Sequence, residues 1–264
     1  MTSNSRVLGA EAMATAVLMI GGLGAAVLGG SAIQVLGIAL AWGLTFTAVA
    51  HAIGNISGCH VNPAVTLAMV ISRKLTPARA LFYVIGQVIG ALLGGLVVWG
   101  IASGVEGWSA RHAFAANGWG DSGGSPGGYG LGSVMMLEII LTAIWVFVAL
   151  CTSGRAFSPG ARGLSIGMTL VMINLVSTTV DNASANPVRS LASAVFAGSD
   201  ALKQLWGFIV FPLIGAVVGV VAWLAVDTAT LEETMLDSDV TRKIRDLADG
   251  VGDRAIGVVE DVVD

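Results

Sequence analysis

Ser57-Gly58-Cys59-His60-Val61-Asn62-Pro63-Ala64-Val65-Thr66 has an echo, Asn186-Pro187-Val188-Arg189-Ser190, whose Asn-Pro lies 124 positions after the first. Each Asn-Pro opens an apolar segment, near 61–71 and near 185–197. Both are too short to cross a bilayer, which takes about 20 apolar residues per helix. Proline suits the first turn of a helix, where its missing N–H costs nothing, and an asparagine ahead of it is a good N-cap. A lone Asn-Pro reads as an ordinary turn or cap. Two in register read as helices that begin abruptly inside the protein.

The repetition extends beyond these segments. Gly43-Leu44-Thr45 returns as Gly167-Met168-Thr169, and Ile89-Gly90-Ala91 with Gly94 returns as Ile214-Gly215-Ala216 with Gly219. Glu11 is answered by Glu138. Around the short segments, six long apolar spans can be drawn, roughly 7–28, 33–55, 80–102, 131–152, 162–180 and 204–226. Three spans per copy is an odd number, so the second copy must lie upside down relative to the first. Inverted repeats with interrupted helices mark the conduction site of many transport proteins. Composition agrees: 55% of the 264 residues are hydrophobic and 11% charged, against about 25% charged in soluble domains. The class is polytopic, helical and membrane-embedded.

Charge position gives orientation. If the N-terminus, the 71–79 and 153–162 loops and the C-terminal tail share a side, that side holds Arg6, Arg73, Lys74, Arg79, Arg155, Arg162, Arg242, Lys243, Arg245 and Arg254. Only Arg111, Arg189 and Lys203 remain opposite. The positive-inside bias then puts both termini in the cytoplasm of a cell-membrane protein. From Asp227 onward lie 11 of the 17 acids. Such a block usually repels and solvates, so residues 229–264 are expected to be an acidic tail, either disordered or a short helix with an Ile244, Leu247, Val251 stripe. The channel domain is expected at 1–228, with repeats at about 7–105 and 130–227. Cys59 and Cys151 suggest no disulfide framework. No metal-ligand cluster, phosphate-binding loop or nucleophile–base arrangement is evident, so no metal, no cofactor, no enzyme activity and no nucleic-acid partner are expected.

Half-helices entering from opposite faces would meet near the midplane with their N-termini, which carry unpaired N–H groups and partial positive charge. A file of water would turn its oxygens toward them, and Asn62 and Asn186 would each add an amide donor. Opposed positive dipoles also exclude protons and cations. Glu11 and Glu138 are carboxylates inside spans, costly unless partnered. They serve either as a proton relay or as acceptors for N–H groups of the re-entrant loop in their own repeat.

The two signatures, with Asn117-Gly118-Trp119-Gly120 and Ser125-Pro126-Gly127-Gly128-Tyr129, resemble those of the aquaporin (major intrinsic protein) family, nearest to its bacterial Z type, over about residues 7 to 226. The resemblance implies an all-α membrane protein: an aquaporin-like right-handed bundle of six transmembrane helices plus two half-helices, in an inverted repeat. It implies a homotetramer in the lipid bilayer with one pore per subunit, and it favours the loop-holding role for Glu11 and Glu138. The outer selectivity filter would fall on Trp42, Asn174, Ala183 and Arg189. Carbonyl acceptors along the pore would come from Gly58, Cys59, His60, Asn182, Ala183 and Ser184.

Departures bear on selectivity. A water-selective bacterial member would place Phe, His and Thr where Trp42, Asn174 and Ala183 stand. Trp42 resembles the glycerol-conducting branch, yet Ser190 stands where glycerol facilitators usually carry Asp. The expectation is passive conduction of water, with glycerol, urea or ammonia as further solutes, excluding ions and protons. The alternative is a glycerol or small-solute facilitator with water secondary. A coupled secondary transporter, or a closed structural membrane protein, is the more distant reading.

Overall fold

The computed structural model describes residues 2–121, 124–154 and 157–226; the tail expected at 229–264 lies outside them. The bundle belongs to the compact unit Met1–Trp223. Helix α1 (Asn4–Leu18) opens on Ser3, whose side chain accepts from Arg6 N. It passes through a π-helical turn, Met19–Leu23, into α2 (Gly24–Ile53). Two separate spans were expected here, at 7–28 and 33–55. The run Asn4–Ile53 is helical through residues 29–32 and bends at Gln34 (φ 53, ψ −172), whose Nε2 donates to Ser31 O. Its 50 residues extend roughly 75 Å at 1.5 Å per residue. That is more than twice a hydrocarbon core of about 30 Å, so one bent run supplies two crossings. Among the described residues five helical runs are long and apolar enough to span; with the first counted twice, they match the six spans.

The half-helices are α3 (Pro63–Ile71) and α8 (Pro187–Ala197). The other elements are α4 (Pro77–Ala102), the short α5 (Ala110–Ala113), α6 (Leu131–Cys151), α7 (Pro159–Asp181), α9 (Ser199–Gln204) and α10 (Gly207–Val226). α1 packs on α4, α2 on α7, and α3 against α4 and α6. Outward faces stay apolar, with Leu36, Leu44, Leu93, Ile209 and Val217 exposed, as suits contact with lipid.

Small residues set the helix spacing, and the repeat holds at that level. A Cβ on Gly90 would stand 2.1 Å from Ala12 O, and one on Gly94 2.6 Å from Ala16 O. In the second copy the values are 2.5 Å from Ile139 O at Gly215 and 2.6 Å from Ala143 O at Gly219. Glycine is thus required where α4 meets α1 and where α10 meets α6. The π-turn has a related use: a Cβ on Gly22 would fall 2.1 Å from the Trp42 ring, so the turn clears the space that the indole occupies.

Gly90→Ala and Gly215→Ala should each destabilise the purified protein by about 1–3 kcal/mol, the cost of forcing a methyl into a packed interface. Gly9→Ala, where nothing lies within 4 Å, should be neutral or slightly stabilising through helix propensity. Thermal unfolding in detergent compares the three; equal shifts would contradict the close-approach argument.

Candidate functional site

Each half-helix is preceded by a loop of strained backbone. Cys59 (φ 54) and Val61 (φ 46) lie in the left-handed region before α3, and Ala183 (φ 55) and Ala185 (φ 50) repeat this before α8. For a β-branched residue such as Val61 that conformation is a genuine outlier, so the surroundings must hold it. They do so with buried carboxylates. Glu11 accepts His60 N at 3.0 Å on Oε1 and Val61 N at 2.7 Å on Oε2. Glu138 accepts Ser184 N at 3.2 Å and Ala185 N at 2.9 Å. Glu11 also takes Ser57 Oγ at 2.5 Å and Gln87 Nε2 at 2.8 Å. Both glutamates thus have loop N–H groups on their oxygens, and both side chains are fully buried.

Asn62 and Asn186 sit at the N-caps of α3 and α8, where Oδ1 accepts Ala64 N at 2.8 Å and Val188 N at 3.1 Å respectively. Their amides then cross over. Asn62 Nδ2 donates to Ala185 O at 2.8 Å, and Asn186 Nδ2 donates to Val61 O at 2.9 Å. The two helix N-termini are therefore stitched face to face. Each primary amide has two hydrogens, so each Asn keeps one after this bond.

Trp42, Asn174, Ala183 and Arg189, named from the sequence, line one cavity together with Leu18, Trp145, Leu170, Ser184 and Asn186. Its volume is about 10 Å³, near the smallest space that holds one water. The Arg189 guanidinium lies 5.7 Å from the Trp42 ring centre. It donates to Asn117 Oδ1, to Ser193 Oγ at 3.0 Å and to Asn182 O at 2.7 Å, while Nε has no partner. Asn174 spends Nδ2 on Leu170 O at 2.9 Å, and its buried Oδ1 has no partner. Two residues that line the cavity thus hold a donor and an acceptor, Arg189 Nε and Asn174 Oδ1, without hydrogen-bond partners.

The loops also reach two larger cavities. One, of about 450 Å³, is lined by Arg111, Asp121, Ser125, Asn182 and Asp200 among others. The other, about 150 Å³, is lined by Phe46, Gly58, Thr152, Phe157 and Arg162 among others. The expected carbonyl set divides by its bonds. Asn182 O is taken by Arg189, whereas among the described residues no protein donor reaches the carbonyls of Gly58, Cys59, His60, Ala183 or Ser184. The His60 ring is buried, with Nδ1 3.1 Å from Thr66 Oγ1 and its face stacked on Tyr83.

Several residues that hold the site were missed by sequence reasoning. Tyr83 donates to Ser57 O at 2.7 Å, Gln87 joins Glu11 to Thr66, and Asp181 Oδ1 accepts Ala183 N at 2.9 Å. Asn117 donates to Asp181 O at 2.8 Å while accepting from Arg189. Gln87 left a legible signal, a lone amide in an apolar helix; the others depend on tertiary placement. Among the described residues no group of three or more His, Cys, Asp or Glu is arranged to hold a metal.

An inverted repeat of bilayer-length helices, with two half-helices meeting end to end through Asn62 and Asn186, defines an integral membrane protein of channel architecture. Residues 1–223 match the family model for the major intrinsic proteins, and the chain belongs to that family. It is 43% identical over 219 residues to aquaporin Z of Photorhabdus laumondii, covering 81% of this chain and 94% of that protein. It is 41% identical over 220 residues to aquaporin Z of Brucella melitensis, covering 82% and 95%. The fold is shared with the X-ray structure of the aquaglyceroporin from Plasmodium falciparum, with a TM-score of 0.71 at 22% identity over 84% of this chain and 96% of that one.

Glu11→Ala would leave His60 N, Val61 N and Ser57 Oγ without their buried acceptor and should cost more than about 3 kcal/mol. Thr15→Val removes a buried hydroxyl that has no partner and should change stability by less than about 1 kcal/mol. Denaturant unfolding in detergent measures both. Comparable losses would contradict the clamp.

Proposed function

We propose that this chain is a passive transmembrane channel for water, with ions and protons excluded. The observation that carries the reading is the reciprocal pair of bonds from Asn62 to Ala185 O and from Asn186 to Val61 O, which turns two helix N-termini toward one point. In this reading the remaining amide hydrogens of Asn62 and Asn186 orient a passing water oxygen. The free carbonyls of Gly58, Cys59, His60, Ala183 and Ser184 accept its hydrogens, and Asn182 adds its carbonyl near Arg189. Trp42, Asn174, Ala183 and Arg189 form the filter. Arg189 is permanently charged, and with the helix N-termini it opposes cations. Glu11 and Glu138 hold the loops. Members of this family are channels, and no enzyme activity is assigned.

A second reading, conduction of small neutral solutes, is favoured by one feature: the unpartnered Asn174 Oδ1 beside Arg189. That donor–acceptor pair matches glycerol or urea as well as water. Size decides the order, since a space of about 10 Å³ admits one water and must widen for anything larger. We further propose a homotetramer in the plasma membrane with cytoplasmic termini, and a channel domain at 1–228 followed by the acidic tail. The Lys/Arg distribution supports the orientation, and the end of the family match at residue 223 supports the boundary.

Stopped-flow light scattering on proteoliposomes should show osmotic water efflux well above protein-free liposomes, with slower glycerol and urea uptake. Asn174→His with Ala183→Thr should lower solute uptake further while water flux persists. Solute uptake as fast as water would move the solute reading to first place, and no rise in either flux would refute an open pore.

A further inference from the structure

The loop residues of the two repeats correspond at the 124-residue offset, and their backbone bonds pair while several side-chain partners differ. His60 N and Val61 N bind Glu11 as Ser184 N and Ala185 N bind Glu138. The His60 ring meets Thr66 Oγ1 as Ser184 Oγ meets Ser190 Oγ. Cys59 N donates to Ser57 Oγ at 3.1 Å, and Ala183 N donates to Asp181 Oδ1 at 2.9 Å. Asp181 therefore stands where Ser57 stands. Ser57 gives its single hydroxyl hydrogen to Glu11 at 2.5 Å. The Asp181 carboxyl neighbours Glu138, and its buried Oδ2 has no hydrogen-bond partner among the described residues, yet an ionised carboxylate has no hydrogen to give.

The other side-chain donor is missing as well. Gln87 Nε2 bonds Glu11 at 2.8 Å, but the position that answers Gln87 in the second repeat is Pro212 of α10, which offers none. Arg189 is the cation facing the pair, and its hydrogen bonds end on Asn117, Ser193 and Asn182 rather than on either carboxylate. Asp181 and Glu138 are both 0% exposed. Two ionised carboxylates in contact there would repel each other without solvent to screen them.

We infer that Asp181 is a positioning residue that carries a proton and donates it in a hydrogen bond to ionised Glu138. The pair then holds one proton and one negative charge, and that charge balances Arg189. A carboxylic acid does in the second repeat what a serine does in the first, and it fixes the loop that presents Ala183, Ser184 and Arg189 to the cavity. The consequence for flux rests on the reading of that cavity as the pore; the proton count does not.

Infrared difference spectroscopy at neutral pH tests the proton directly in the reconstituted full chain. Wild type should show an un-ionised carboxylic acid carbonyl band that is absent from Asp181→Asn and Asp181→Thr, which supply an amide or hydroxyl donor instead. Water flux should fall about tenfold in Asp181→Ala, in keeping with loss of a hydrogen bond to a buried charge, and recover most of the way in Asp181→Thr. A band unchanged in Asp181→Asn would overturn the inference, as would Asp181→Thr conducting no better than Asp181→Ala. If Asp181→Ala does not fold, the infrared comparison among the other three proteins decides. If wild type conducts nothing, the proposed function fails while the infrared result still stands or falls alone.

Discussion

Two carboxylates buried in the bundle hold four backbone N–H groups of the re-entrant loops, and the site exists because of those bonds. Irregular backbone at membrane depth is tolerated only where its polar groups are satisfied by protein or face a water-filled cavity. Residues such as Val61 and Ala185 sit in left-handed backbone conformations that cost on the order of 1–3 kcal/mol each. Glu11 and Glu138 offset that strain by binding the very N–H groups that the strained turns expose. With the N–H groups committed to the carboxylates, five loop carbonyls remain without a protein donor among the described residues. The half-helices can then start at Pro63 and Pro187, with their asparagines crossing to the opposite loop.

Much of this was legible in the sequence because it rests on local chemistry. Asn-Pro fixed the starts of both half-helices to within two residues, since a cap and a first-turn proline need no tertiary context. The inverted repeat identified Glu11 and Glu138 as equivalent, and the glycine pairs at 90/94 and 215/219 mark close helix contact in both copies. The bend at Gln34 was not legible, because a lone glutamine in an apolar run carries no local signal for a kink. Nor was the π-turn, whose use appears only once Trp42 is seen against Gly22. Asn117 and Asp181 act through partners tens of residues away, and a single sequence carries no record of such pairings.

The two halves share a scaffold but not a surface chemistry. In the first, a serine, a glutamine and a stacked histidine–tyrosine pair surround the loop. In the second, Asp181, Asn117 and Arg189 surround the equivalent loop. The narrow cavity draws mostly on the second half, where Arg189 and Asn174 leave one donor and one acceptor without a partner, with Leu18 and Trp42 contributed by the first. On the proposed reading the filter therefore draws its polar groups from one repeat, whereas the midpoint between Asn62 and Asn186 belongs to both. A change in the filter can alter which solute enters without disturbing the carboxylate clamps beneath it.

The most direct test of the account is an experimental structure in a lipid environment at a resolution that orders water. The account predicts a single file of waters, with one within hydrogen-bond reach of both Asn62 Nδ2 and Asn186 Nδ2, and others on the Gly58, Cys59, His60, Ala183 and Ser184 carbonyls. A dry or side-chain-filled gap between the two asparagines, with those carbonyls bonded to protein instead, would contradict it.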